Sequence, residues 1–180
     1  MVSKVLSVNL ALPRTVTWNG QEILTGIFKR PVVGRVAVRE LGIEGDGQAD
    51  LTVHGGVMKA VYAYPSEHYD YWQRELKKEL TWGMFGENLT TVGLVENSVH
   101  VGDQFRVGSA ELEVTQPRFP CYKLGVKFGD MEMVQRFQHS GRSGFYLKVR
   151  SKGEIEAGDI ISLIRSGNGR TIHESFQSDA

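Results

Sequence analysis

Glycine punctuates this sequence so often that no long uninterrupted element can form: 21 of its 180 residues are Gly. The stretches between glycines alternate apolar and polar residues with period two, as in KVLSVNLAL, GRVAVREL, QFRVGSAELEV and GFYLKVRS. Successive side chains of a strand point to opposite faces, so this alternation reads as strands with one buried face. Many short strands with tight turns are therefore the expected framework. Asn-Gly within WNGQ (Trp18 to Gln21) suits the two positive-φ positions of a type I′ hairpin turn. RVGSAE reads as a second hairpin turn and SKGEIEAGDI as a third tight segment.

Helix signals are fewer. PSEHYDYWQRELKKEL carries early acids and late lysines, as the helix dipole favours, and places Tyr69, Trp72 and Leu76 on one side. Shorter helices are expected at YKLGVKFG and MEMVQRFQ. The resulting fold class is α+β, mainly β, a mixed β-barrel with a few short peripheral helices. A chain of this length is most simply one domain, expected over residues 1–165, with residues 166–180 as a polar, loose tail.

Charge and cysteine content exclude several functions. The 21 basic and 21 acidic residues cancel, so the basic excess that drives sequence-independent binding to nucleic acid or anionic membrane is missing. No run approaches the roughly 20 apolar residues of a membrane helix. MVSKVLSVNLALPRTV reads as a first strand and not as a signal peptide, because Pro13 and Arg14 break its apolar run. The single cysteine, Cys121, forbids an internal disulfide and fits a cytoplasmic location. One thiol cannot hold an iron–sulfur cluster of the four-cysteine kind, and no G-x-G-x-x-G follows a strand. Electrons for any redox chemistry are thus expected from a separate donor protein.

Four segments carry candidate site residues. In TQPRFPCYKLG, Pro117 and Pro120 stiffen the chain around Cys121, and Arg118 supplies a positive charge of the kind that favours a thiolate. The alternative is an inert, buried thiol. GIEGDGQADLTVHGGVMKAVYAY holds His54, Gly55, Gly56 and Lys59; its glycines let a backbone approach an anion closely, or simply form a surface loop. MFGENLTTVGL offers Glu87 and Asn88 as polar groups ahead of a strand, or a plain turn. HSGRSGFYLKV sets Arg142 between glycines, suited to an oxyanion or to a polar hairpin tip. A zinc site joining Cys121 to His54 and His68 or His100 lacks the usual pairwise ligand spacing.

Taken in order, GDGQADLTVHGGVMKAVYAYPSEHY, FGENLTTVGL, VGDQFRVG, VTQPRFPCYKL and GRSGFYLKV resemble the MOSC domains, named for the C-terminal part of molybdenum-cofactor sulfurase, and within them the YiiM-type stand-alone bacterial branch. The resemblance spans roughly Lys4 to Ile164. It implies a β-barrel that binds molybdopterin, the molybdenum cofactor, independently of pyridoxal phosphate. It also implies that Cys121 is the protein's thiolate ligand to the metal. Lys59, Arg118, Asn88, Arg142, Gly55 and Gly56 are then expected to hold the cofactor, and His54 or Glu87 to serve as a catalytic acid. The implied activity is reduction of N-hydroxylated compounds, such as hydroxylaminopurine-like bases, to amines; the alternative is a non-catalytic carrier of cofactor or of persulfide sulfur. The partners implied are a small-molecule substrate and an electron-donor protein, with no nucleic acid and no membrane. The resemblance departs at one point: YiiM-type proteins usually carry a further small helical domain after the barrel, where a short polar tail is expected here.

Overall fold

The computed structural model describes residues 2–47 and 55–179. The chain runs through β1 (Lys4–Leu10), β2 (Arg14–Trp18), β3 (Gln21–Thr25), β4 (Arg30–Val32), β5 (Val36–Arg39), β6 (Gly42–Ile43) and β7 (Val61–Pro65). Then follow α1 (Tyr69–Leu76), β8 (Leu89–Val92), β9 (Gln104–Val107), β10 (Ala110–Pro117), α2 (Tyr122–Phe128) and α3 (Glu132–Ser140). It ends with β11 (Phe145–Ser151), β12 (Gly153–Ile155), β13 (Ile161–Arg165) and α4 (Ile172–Ser178).

The main sheet has eight strands in the order β13-β9-β10-β11-β7-β8-β1-β4, with smaller sheets β12-β5-β6 and β2-β3. Only the β7–β8 pair within the main sheet is parallel. The expected mainly-β α+β class holds, but among the described residues no closed barrel is found. The start of β1 and the approach to β13 touch through one bridge, Lys4 with Ile160, and through Ile161 N–H donating to Ser3 O. A continuous ladder does not form there, because β1 spends its pairing capacity on β4 and β8.

Period-two alternation decides what each face of the sheet covers. On β7, Val61 and Ala63 enter an aliphatic core with Val5, Val8, Leu112, Val114, Phe145 and Leu147. Tyr62 and Tyr64 point the other way, into an aromatic layer under the helices. There Trp72 of α1 stacks on Phe137 of α3 at 6.1 Å, and Tyr64 on Phe85 at 4.4 Å. Offset stacks of this kind add to simple area burial.

Local sequence signals are met at the first hairpin, where Asn19 (φ 49°) and Gly20 (φ 78°) both occupy the left-handed region. The helix expected after Pro65 is shorter than its pattern. A 3-10 turn, Ser66–His68, precedes α1, and Lys77 ends it in the left-handed conformation. Where a loose tail is expected, the structure has α4. Its start is a capping box, Glu174 N–H donating to Thr171 Oγ1 and Thr171 N–H to Glu174 Oε2. Ile172 and Phe176 are buried against the body of the fold. Two apolar side chains one turn apart suffice to dock so short a helix, although the surrounding composition is polar.

Candidate active site

One cleft, with about 670 Å³ of empty space including its open mouth, gathers residues from six parts of the chain. Cys121 is half-buried on its wall, as a free thiol at the N-terminal end of α2. The segment before it is tied down on both sides. Thr115 Oγ1 lies 2.7 Å from Met58 O, and Arg118 N–H donates to Gly144 O at 3.4 Å. Pro117, at the end of β10, pairs with Phe145 of β11. The proline-framed corner therefore belongs to the sheet and holds the thiol in place.

Arg118 lines the same cleft and is only 5% exposed. Its guanidinium lies 5.2 Å from the Tyr62 ring centroid and 5.0 Å from that of Phe137. Burial works against its charge, yet Tyr62, Tyr146 and Cys121 outweigh that effect and hold its pKa above the ordinary value. Its Nη1 has no hydrogen-bond partner among the described residues. A buried guanidinium nitrogen without an acceptor is costly, and an anion entering the cleft can supply one.

Lys59 reaches the cleft from the turn Val57–Lys59, its ammonium 5.8 Å from the Tyr146 ring centroid. That turn starts from Gly56, whose φ of 87° suits glycine, and Lys59 N–H closes it onto Gly56 O. Lys123, on α2, adds a further cation to the lining. The lining also includes a fixed polar group. Asp46 accepts from Lys29 Nζ at 2.6 Å, from Ala11 N–H at 2.9 Å and from Asn88 Nδ2 at 2.9 Å. Burial lowers the Lys29 pKa, and Asp46 opposes the shift. Asn88 Oδ1 accepts from Tyr62 N–H, so its amide is spent on orienting Asp46 and β7.

Of the residues singled out by sequence, Cys121, Arg118, Lys59 and Asn88 share this cleft. Gly55 and Gly56 lie outside its lining, Gly56 serving the turn that carries Lys59. His54 falls outside the described residues. Glu87 sits behind the cleft, fully buried, with its oxygens accepting from Tyr69 Oη, Gly83 N–H, Phe85 N–H and Thr90 Oγ1. Burial raises its pKa despite these bonds. A carboxylate so engaged organises the turn before β8 and presents no free oxygen to a substrate. Arg142 is also elsewhere, 3.7 Å over the ring of Tyr71 with its Nη1 on Ser140 O. The flat guanidinium settles on an aromatic face, a favourable site for a delocalised cation. His68 pairs with Glu96, and among the described residues no group of three or more His, Cys, Asp or Glu side chains gathers as a metal site would require.

Sequence reasoning missed Tyr146, Tyr62, Lys29, Asp46 and Lys123 as lining residues. The two tyrosines had a signal, since alternation in GFYLKV and AVYAY turns them away from the aliphatic face. Lys29 and Asp46 meet only through folding and had none.

The donor set fits a molybdopterin-type group: one soft thiol, a buried guanidinium with one nitrogen lacking an acceptor, and lysines for phosphate charge. A family model for the MOSC domain matches residues 50–162. An uncharacterized protein of Bacillus subtilis, YflK, is 47% identical over 163 residues, covering 91% of this chain and 74% of its own. A protein of Gibberella moniliformis named a reductase is 36% identical over 81% of this chain, which spans 26% of that longer protein. The crystal structure of YiiM from Geobacillus stearothermophilus superposes with a TM-score of 0.82 at 35% identity, covering 97% of this chain and 82% of the other. No helix among the described residues is long and apolar enough to cross a membrane.

Proposed function

The chain belongs to the MOSC domain family, in its YiiM-type branch, and we propose that its cleft binds a molybdenum cofactor and reduces N-hydroxylated compounds to amines. The observation that carries this reading is the presence, in one cleft, of the lone Cys121 thiol and of the Arg118 guanidinium, whose Nη1 has no hydrogen-bond partner among the described residues. A relative named a reductase supports the reaction class.

In this reading Cys121 Sγ, as the thiolate, is the protein's ligand to the metal, a soft donor of the type molybdenum accepts. Arg118, Lys59 and Lys123, which line the cleft, would hold the cofactor through its anionic oxygens. The bound group supplies a two-electron centre able to take the oxygen of an N–O bond. Overall, one N-hydroxyl group, two electrons and two protons become one amine and one water. The electrons come from a separate donor protein. Tyr146 is placed to hold a proton: burial raises its pKa, Arg118 opposes, and the shift remains upward, so its Oη is protonated at neutral pH. It stands as hydrogen-bond donor to the leaving group, a role Glu87 cannot reach from behind the cleft.

The test is elemental analysis for molybdenum on protein made in a cofactor-competent cell, wild type beside Cys121→Ser, together with reduction of an N-hydroxylated base by an artificial donor. Metal and turnover in the wild type, with turnover lost in the variant, are expected. Undiminished activity of Cys121→Ser overturns the assignment. A persulfide on Cys121 without turnover identifies a sulfur carrier instead.

A further inference from the structure

Beside the cleft lies a second concentration of positive charge. Lys127 follows Lys123 by four residues on α2, so the two ammonium groups share a helix face one turn apart. Lys127 Nζ is 5.0 Å from the centroid of the Phe28 ring, and the guanidinium of Arg14, from the start of β2, is 4.4 Å from the same centroid. Arg30 and Lys29 stand near enough to repel Lys127, as Arg14 does. Glu87 attracts it, and Glu87 is already bonded to four donors.

Among the described residues, none of Arg14, Arg30, Lys123 and Lys127 lies within salt-bridge distance of a carboxylate. Like charges gathered without a counter-ion repel, and an anion placed among them relieves the repulsion. The cluster is continuous with the cleft. Thr25, Gly26, Ile27 and Lys29 line the cleft and bracket Phe28 in sequence, while Gly47, also in the lining, packs on Pro13 next to Arg14. A ligand extending from Cys121 along the Lys123–Lys127 face of α2 therefore arrives at this cluster.

We propose that the Arg14, Arg30 and Lys127 cluster around Phe28 is a subsite for the phosphate of the substrate, so that the substrates are N-hydroxylated nucleotides in preference to free bases or nucleosides. This rests on the reductase reading above. A forked guanidinium beside an ammonium suits a tetrahedral oxyanion, one offering planar paired donors and the other a point charge. Phe28 keeps both cations in place when no anion is bound.

The experiment compares N4-hydroxycytidine with its 5′-monophosphate on the cofactor-loaded protein, as wild type and as the Arg14→Met, Lys127→Met double variant. The expected result is a kcat/KM about tenfold higher for the monophosphate, carried by KM, which falls to parity in the double variant while molybdenum content is unchanged. Equal kcat/KM for the two compounds in the wild type overturns the subsite and leaves the reductase reading standing. Loss of molybdenum from the double variant also overturns it, because the cations would then belong to the cofactor. If neither compound is turned over, the reductase reading fails, and equilibrium dialysis of the same two compounds still decides the subsite. Tighter binding of the monophosphate, lost in the double variant, supports it; equal binding overturns it.

Discussion

Phe119 and Phe176 stack with their ring centroids 4.8 Å apart and their planes 12° from parallel. Phe119 lines the cleft two residues before Cys121, and Phe176 belongs to the last helix of the chain. The C-terminal helix thus props the wall that carries the thiol. Phe176→Ala removes a side chain that is 3% exposed and is expected to cost about 3 kcal/mol of stability, read by denaturant unfolding. Phe176→Leu keeps most of the apolar volume, so its cost should stay near 1 kcal/mol. If the ring stack positions the wall, both variants raise KM for the N-hydroxylated substrate, the milder one included. An unchanged KM in Phe176→Leu would make the stack a matter of stability alone.

Glu87 is the core carboxylate most exposed to misreading as a catalytic acid. Its two oxygens take four donors, so Glu87→Gln turns an NH₂ group toward at least one of them. The expected loss is about 3 kcal/mol in thermal or denaturant unfolding, the range for a broken buried network. Turnover per folded molecule should be unaltered at permissive temperature. A specific loss of kcat in protein that remains fully folded would return Glu87 to the chemistry.

Arg118 offers the opposite balance. Its buried guanidinium lacks a partner for Nη1 among the described residues, so the ligand-free protein carries the cost of one buried donor without an acceptor. Arg118→Met, similar in length and neutral, is expected to leave the cofactor-free protein as stable as the wild type or more so. The same variant should retain less molybdenum after gel filtration. Equal metal retention would show that the guanidinium does not face the cofactor.

Lys127 predicts a pH dependence with a definite sign. Burial, reinforced by Arg14, Arg30 and Lys29 and opposed by Glu87, lowers its pKa to about 8. Between that value and the ordinary lysine range the unfolded chain binds the extra proton, so this group makes stability rise with pH through that window. Below pH 8 it is charged in both states and contributes no slope. The difference in unfolding free energy between wild type and Lys127→Met should therefore shift in favour of the wild type from about pH 8 to pH 10. A flat difference across that range would mean Lys127 titrates as an ordinary exposed lysine.

Much of the framework was legible in the chain because its causes are local. Asn19-Gly20 chose the first hairpin turn, and alternation in AVYAY and GFYLKV sorted Tyr62, Tyr64 and Tyr146 away from the aliphatic core. The helices after Cys121 and at Glu132–Ser140 were likewise readable. Other features were not. Helix α4 forms in a polar stretch because Ile172 and Phe176 find partners more than fifty residues away in β10 and at Phe119. Arg142 looked like an anion clamp between glycines, and Tyr71 claimed it.

By itself, then, the order of residues determined strand periodicity, turn chemistry, the solitary thiol and its stiff proline setting, since each depends on neighbours within a few positions. Only the tertiary structure decided which polar groups share the cleft. Lys29 meets Asp46, Arg118 reaches Tyr62 and Phe137, and Glu87 turns inward to four donors. Those outcomes follow from desolvation: a charged side chain settles where its lost water is best replaced, and that place is set by strands and helices distant in sequence.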